Sequence, residues 1–163
     1  MIFGPTQCRK EADRLIAISQ EIPSNPDRTR AGGVLTVGLE GFSQKYVLNL
    51  GTYSPNKREK YTRLSQEKAH RVYANWLRQP EVTVSSWQTR NPEEMMFGGA
   101  VLFPPIDESP NIISFSGLAE VTDEALCLVL AYHLGLSPVP NYANRVIEIS
   151  KNPVYEELLK RAE

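Results

Sequence analysis

The chain has 163 residues, a hydrophobic fraction of 41% and a formal charge of −1, which suits one domain with a packed core rather than a broad nucleic-acid binder. No apolar run approaches the roughly 20 residues of a membrane-spanning helix, so no membrane partner is expected. Cys8 and Cys127 lack a Cys-x-x-Cys context, so neither a disulfide framework nor a zinc site is expected, and both thiols read as buried and inert.

Met1 to Pro5 shows no basic segment followed by an apolar one, so a cytoplasmic protein without a secretory leader is the expectation. Cys8, Ala12, Leu15, Ile16, Ser19 and Ile22 recur at spacings of three and four, which predicts a first helix over 6–22 with Thr6 as N-cap and Pro23 as its stop. Ser24 to Gly33 is a loop with Arg28 and Arg30 exposed. Val34 to Leu39 and Lys45 to Leu50 read as a strand hairpin closed by Glu40-Gly41-Phe42-Ser43.

Gly51 to Lys60 is polar and turn-rich. The basic run Lys57 to Arg63, broken by Glu59, reads as a solvated loop face rather than a phosphate contact. A second helix is predicted from about Leu64 to Leu77, with Ala69, Val72 and Trp76 inward and Pro80 closing it. Val82 to Trp87 alternates apolar and polar residues and predicts a further strand.

Residues 97–136 hold a glycine pair, Gly98-Gly99, then two apolar strands, Ala100 to Phe103 and Ile112 to Phe115, around a proline-rich loop. Ser116-Gly117 follows, then a helix capped by Thr122, with Asp123 and Glu124 at its positive end and Gly135 just past its C-terminus. That helix is apolar almost all round, so it is expected to be buried on nearly all sides, against the sheet on one and a second subunit or another helix on the other. Ser137 to Pro140 breaks regular structure, Val146 to Ile149 reads as a short extension or strand, and Asn152-Pro153 opens a terminal helix. The expected class is α+β, an antiparallel sheet of about five strands flanked by helices, as a single domain with its core over about 6–136 and an extension over 137–163.

Gly98-Gly99, the paired strands, Phe115-Ser116-Gly117 and Asp123-Glu124 together resemble the C-terminal half of the GlcG/HbpS-like family, which includes haem-degrading-type domains and the C-terminal domain of PduO-type proteins. Ser65-Gln66-Glu67-Lys68-Ala69 resembles the helix motif of that family. The chain departs from the pattern at Glu40-Gly41, where the family carries Asp-x-x-Gly, and at Ile112-Ile113-Ser114-Phe115, where it is richer in glycine; the tail from Ser137 is additional. The resemblance implies a GlcG/HbpS-like, profilin-like layout, assembly as a homo-oligomer, and a small-molecule site for an anionic planar or carboxylate-bearing ligand, with haem or another tetrapyrrole among the cofactors known in the family. On it, the ligand-binding positions are Lys68, Gly98, Gly99, Ser116 and Gly117.

Each of these residues also has a plainer reading. Lys68 is either a point charge for a carboxylate or propionate, or an exposed lysine with a snorkelling stem. Gly98-Gly99 is either a close-approach element or a turn into a strand. His133, at the negative end of the apolar helix, reads first as a core or interface histidine and second as an axial haem ligand. His70 reads as a solvated helix residue. No phosphate loop, nucleophile elbow or metal-ligand spacing is present, so no catalytic residue is assigned and the cofactor is left unspecified. The function expected is small-molecule binding; the alternative is a structural protein acting through homo-oligomer assembly.

Overall fold

Alternating apolar residues in four segments build one antiparallel sheet, and helices with apolar stripes cover both of its faces. The computed structural model describes residues 4–103, 109–136 and 140–163. In chain order these are α1 (Pro5–Ser19), β1 (Ala31–Leu39), β2 (Gln44–Thr52), α2 (Arg58–Arg78), β3 (Ala100–Phe103), β4 (Asn111–Ser116), α3 (Glu120–His133), α4 (Pro140–Ser150) and α5 (Tyr155–Ala162). The sheet order is β2-β1-β4-β3, with registers such as Leu35 opposite both Leu48 and Phe115, and Val101 opposite Ile113.

The period of two divides the side chains between two cores. Leu35, Val37, Leu50, Val101, Ile113 and Phe115 point into the larger one, shared with α1, α3 and α5. Each such side chain contributes about 1.5–3 kcal/mol through burial. The other face is smaller and more polar: Ala69 and Val72 of α2 pack on Ala100, Leu102 and Ile112. Beside them Ser65 donates to Thr36 Oγ1 at 2.8 Å and Ser114 donates to the Ser65 carbonyl at 2.7 Å. Small hydroxyl residues let α2 lie close on the sheet while keeping these buried polar groups bonded.

The class is as expected, but among the described residues the sheet has four strands rather than about five. The segment from Val82 makes only a bridge from Ser85 to Val101 before turning into a 3₁₀ turn at Ser86–Thr89. Gln88 causes this. Its Oε1 accepts the Val84 and Ser85 N–H groups and its Nε2 donates to the Val82 carbonyl, so one side chain takes the bonds a neighbouring strand would have made.

Helix limits also differ from expectation. α1 starts after Gly4, with Pro5 rather than Thr6 in the capping region. α2 begins at Arg58, six residues before Leu64, because nothing in the basic run breaks a helix and Glu59 suits its first turn. α3 begins at Glu120, so Thr122 lies inside it and donates to Asn25 Oδ1 at 2.8 Å rather than capping. Val146 to Ile149 belongs to α4, where Ala143, Val146 and Ser150 are buried at helical spacing.

Residues 122–131 of α3 are all buried. Of the two coverings expected for its outer side, the second is found: α1, α4 and α5 of the same chain pack there. The helix ends as anticipated at Gly135, φ +80, with Leu136 N–H bonded to the Ala131 carbonyl and Gly135 N–H to the Tyr132 carbonyl. Residues 104–108 of the proline-rich loop and 137–139 of the expected break lie outside the described residues. Among the described residues no helix is long and apolar enough to cross a membrane.

Candidate functional site

Where α2, the end of β4 and the start of α3 converge, a cavity of about 330 Å³ opens. It lies at the lower end of the about 300–1,000 Å³ typical of small-molecule sites. Leu64, Tyr61, Met95 and Phe97 supply apolar wall, and Lys57, Lys60 and Arg30 supply cations. Arg71 fixes Phe97, donating to its carbonyl at 2.5 Å while holding the Ser86 carbonyl at 2.8 Å.

Lys68 forms part of the floor. It is 2% exposed, so the snorkelling reading is corrected: its ammonium ends inside the protein. Nζ donates to the Phe115 carbonyl at 2.7 Å and to Asp123 Oδ2 at 3.2 Å. An ammonium carries three N–H groups, and the third has no acceptor among the described residues. Asp123 Oδ1 accepts the Leu118 N–H at 2.9 Å, which fixes the turn into α3. Burial pushes the Asp123 carboxyl up, against the pull of the Lys68 ammonium and the Leu118 N–H.

Ser116 completes the floor. It is 4% exposed and lines the cavity, and its hydroxyl makes no hydrogen bond among the described residues. Most polar groups of buried residues are bonded, so an unpartnered hydroxyl and an unpartnered ammonium N–H lining one cavity mark a place for an acceptor. Gly117 also lines the cavity, at φ +144, where a Cβ would come within 2.3 Å of the Gly32 carbonyl; glycine is required there for packing on β1.

Gly98 and Gly99 do not line the cavity and act behind it. Gly99, at φ +119, lies against the pair: a Cβ there would sit 2.8 Å from Lys68 Nζ and 2.9 Å from Asp123 Cβ. Gly98 carries the Trp87 ring against its α-carbon, and its N–H donates to Glu120 Oε2 at 2.9 Å. Glu120 also takes two 2.7 Å bonds from Arg90, whose guanidinium stacks over Trp87. Burial works against the Glu120 carboxylate, but Arg90, the Gly98 N–H and Lys68 outweigh it and hold its pKa below the usual value.

The remaining sequence candidates are elsewhere. His133 faces α1, with Nδ1 3.3 Å from Glu11 Oε1. It lies ten residues beyond Asp123 on α3, about 15 Å along the axis. Neither histidine lines the cavity; His70 is exposed on α2 and stacks on Phe42 at 4.7 Å. Both cysteines are free and buried, and burial pushes the Cys8 thiol up to about 11 and that of Cys127 well above its usual value, which keeps them protonated. Among the described residues no group of three or more His, Cys, Asp or Glu could hold a metal ion.

Sequence reasoning missed Asp123 as the partner of Lys68, and missed Arg30, Lys57, Lys60 and Tyr61 as lining. One signal was available for α2: Lys57, Lys60, Tyr61, Leu64 and Lys68 share a spacing of three and four, and a helix begun at Arg58 puts them on one stripe. No family model, curated protein or solved structure matches the chain at the significance required.

Proposed function

We propose that this chain is a small-molecule-binding domain of the GlcG/HbpS type that takes a carboxylate ligand in the Lys68 cavity. The observation that carries the reading is the cavity floor, where the hydroxyl of Ser116 and one N–H of the buried Lys68 ammonium have no acceptor among the described residues. A carboxylate there gains two hydrogen bonds, one of them charge-assisted. Leu64, Tyr61, Met95 and Phe97 accept its apolar body. The cavity volume and the remote position of His133 favour a compact carboxylate over a haem held by an axial histidine; a tetrapyrrole would have to engage this floor through a propionate.

Isothermal titration with octanoate, against octanamide as the uncharged match, tests the reading. Octanoate is expected to bind with one site per chain and the amide not to bind. Equal binding of the two, or binding of neither, sinks it. A haem titration read at the Soret band tests the tetrapyrrole form, which is ruled out if no band shift appears at micromolar protein.

A further inference from the structure

One stripe of α2 and the turn that precedes it carries its chemistry in an order. Lys57 and Lys60 stand at the mouth of the cavity, Tyr61 and Leu64 follow, and Lys68 lies at the floor. Lys60, Leu64 and Lys68 are spaced four apart, so they lie above one another on the helix, and eight residues span about 12 Å. The two mouth lysines are exposed and make no ion pair among the described residues. The acids at the cavity are already compensated: Asp27 by Arg30 at 3.1 Å, Glu120 by Arg90 and Asp123 by Lys68. The uncompensated charge at the cavity is therefore positive and sits at its mouth, about two helical turns away from the unpartnered donors at its floor.

Met95 adds to the apolar middle. It is 42% exposed, lines the cavity, and sits at φ +58, a left-handed conformation that side-chain-bearing residues rarely adopt. Such strain persists where the surroundings enforce it, and here it holds a flexible apolar side chain at the site.

We infer that the ligand is a dianion, two acidic groups separated by an apolar body, lying along this stripe with one group on Ser116 and Lys68 and the other on Lys57 and Lys60. This rests on the carboxylate-binding reading above and narrows it. Inner recognition is by directed hydrogen bonds to buried donors, so it selects a carboxylate. Outer recognition is by two mobile, solvated ammonium groups, so it selects charge at a distance from the first group and weakens as salt rises.

Suberate and octanoate test this, since they share chain length and differ in the second carboxylate. In calorimetry at low ionic strength, suberate is expected to bind about tenfold more tightly than octanoate, and 0.5 M salt to shrink that advantage. The double variant Lys57→Gln/Lys60→Gln should abolish the advantage, bringing the ratio of suberate to octanoate affinity to about one. Ser116→Ala should weaken both ligands alike. If octanoate equals suberate on the wild-type protein, the dianion inference is overturned and the carboxylate site stands. If the preference for suberate survives in the double variant, the second group is not on Lys57 and Lys60, and the inference is again overturned. If neither binds, the site reading itself fails with it.

Discussion

Asp123 and Glu124 are neighbours on α3, both buried, and the fold treats them in opposite ways. Asp123 meets an ammonium, a backbone N–H and a cavity. Glu124 is turned the other way, into the junction of α3 with the C-terminal helices. Its Oε2 accepts from Ser150 at 2.5 Å and Asn152 at 2.7 Å, while Oε1 has no partner. No cation offsets its burial, and its pKa is raised to about 7, by desolvation first and by Glu120 one turn away to a lesser degree, against the two hydrogen bonds. Asn152 links this carboxyl to α5, because its Oδ1 accepts the Val154 and Tyr155 N–H groups while its Nδ2 also reaches the Val121 carbonyl. A buried carboxyl beside a cation borders the candidate site; a buried carboxyl held by neutral donors serves as a latch for the extension.

The largest expected effect comes from breaking the charged side of this comparison. Lys68→Met leaves Asp123 buried without its cation and should cost about 3–5 kcal/mol. The added change Asp123→Asn should restore at least half of that, because the uncompensated carboxyl is gone. Urea unfolding of the four proteins of the cycle measures the coupling. Additive losses would mean that the two residues do not act as a pair.

The neutral side predicts a pH dependence. Glu124 has a folded pKa of about 7 against an unfolded value near 4.5. Between those values the folded protein holds a proton that the unfolded chain has released. Stability from this group therefore falls as pH rises through the window and is level above it, by on the order of 3 kcal/mol in total. Glu124→Gln removes the titration, so unfolding curves for variant and parent should diverge from pH 4.5 to 7.5 in favour of the variant. Parallel profiles would show that Glu124 stays charged in the folded state.

The contrast also marks how far the sequence could be read. The apolar run of α3, its end at Gly135 and the hairpin of β1 and β2 are written in local residues, and they were legible. The start of α2 was not, because a run of Lys, Arg and Glu looks the same on a solvated loop as on the outer turns of a helix. The Val82 segment misled because a single side chain, Gln88, takes the bonds its pattern promised to a neighbour. At the site, Lys68, Ser116 and Gly117 entered through the family resemblance and line the cavity. Asp123 was part of that resemblance, but its pairing with Lys68 was not legible, since a carboxylate at a helix start has a sufficient local explanation in the helix dipole, and its partner is 55 residues away. Arg30 and Asp27 arrive from a loop remote in sequence. Long-range convergence of this kind leaves no periodicity to detect.

The smallest expected effect separates the two kinds of polar residue on a single strand. Ser114 and Ser116 point to the same face of β4, two residues apart. Ser114 is fully buried and donates to the Ser65 carbonyl, which ties β4 to α2. Ser114→Ala removes that bond and leaves the carbonyl with less than its share, so a loss of about 1 kcal/mol is expected. Ser116 is also buried but makes no side-chain hydrogen bond among the described residues, so Ser116→Ala should stay within about 0.5 kcal/mol of the parent. Thermal unfolding of both variants, without ligand, reads the difference directly. A loss at Ser116 equal to that at Ser114 would assign its hydroxyl to structure; a loss confined to Ser114, together with weakened octanoate binding in Ser116→Ala, assigns the free hydroxyl to the ligand.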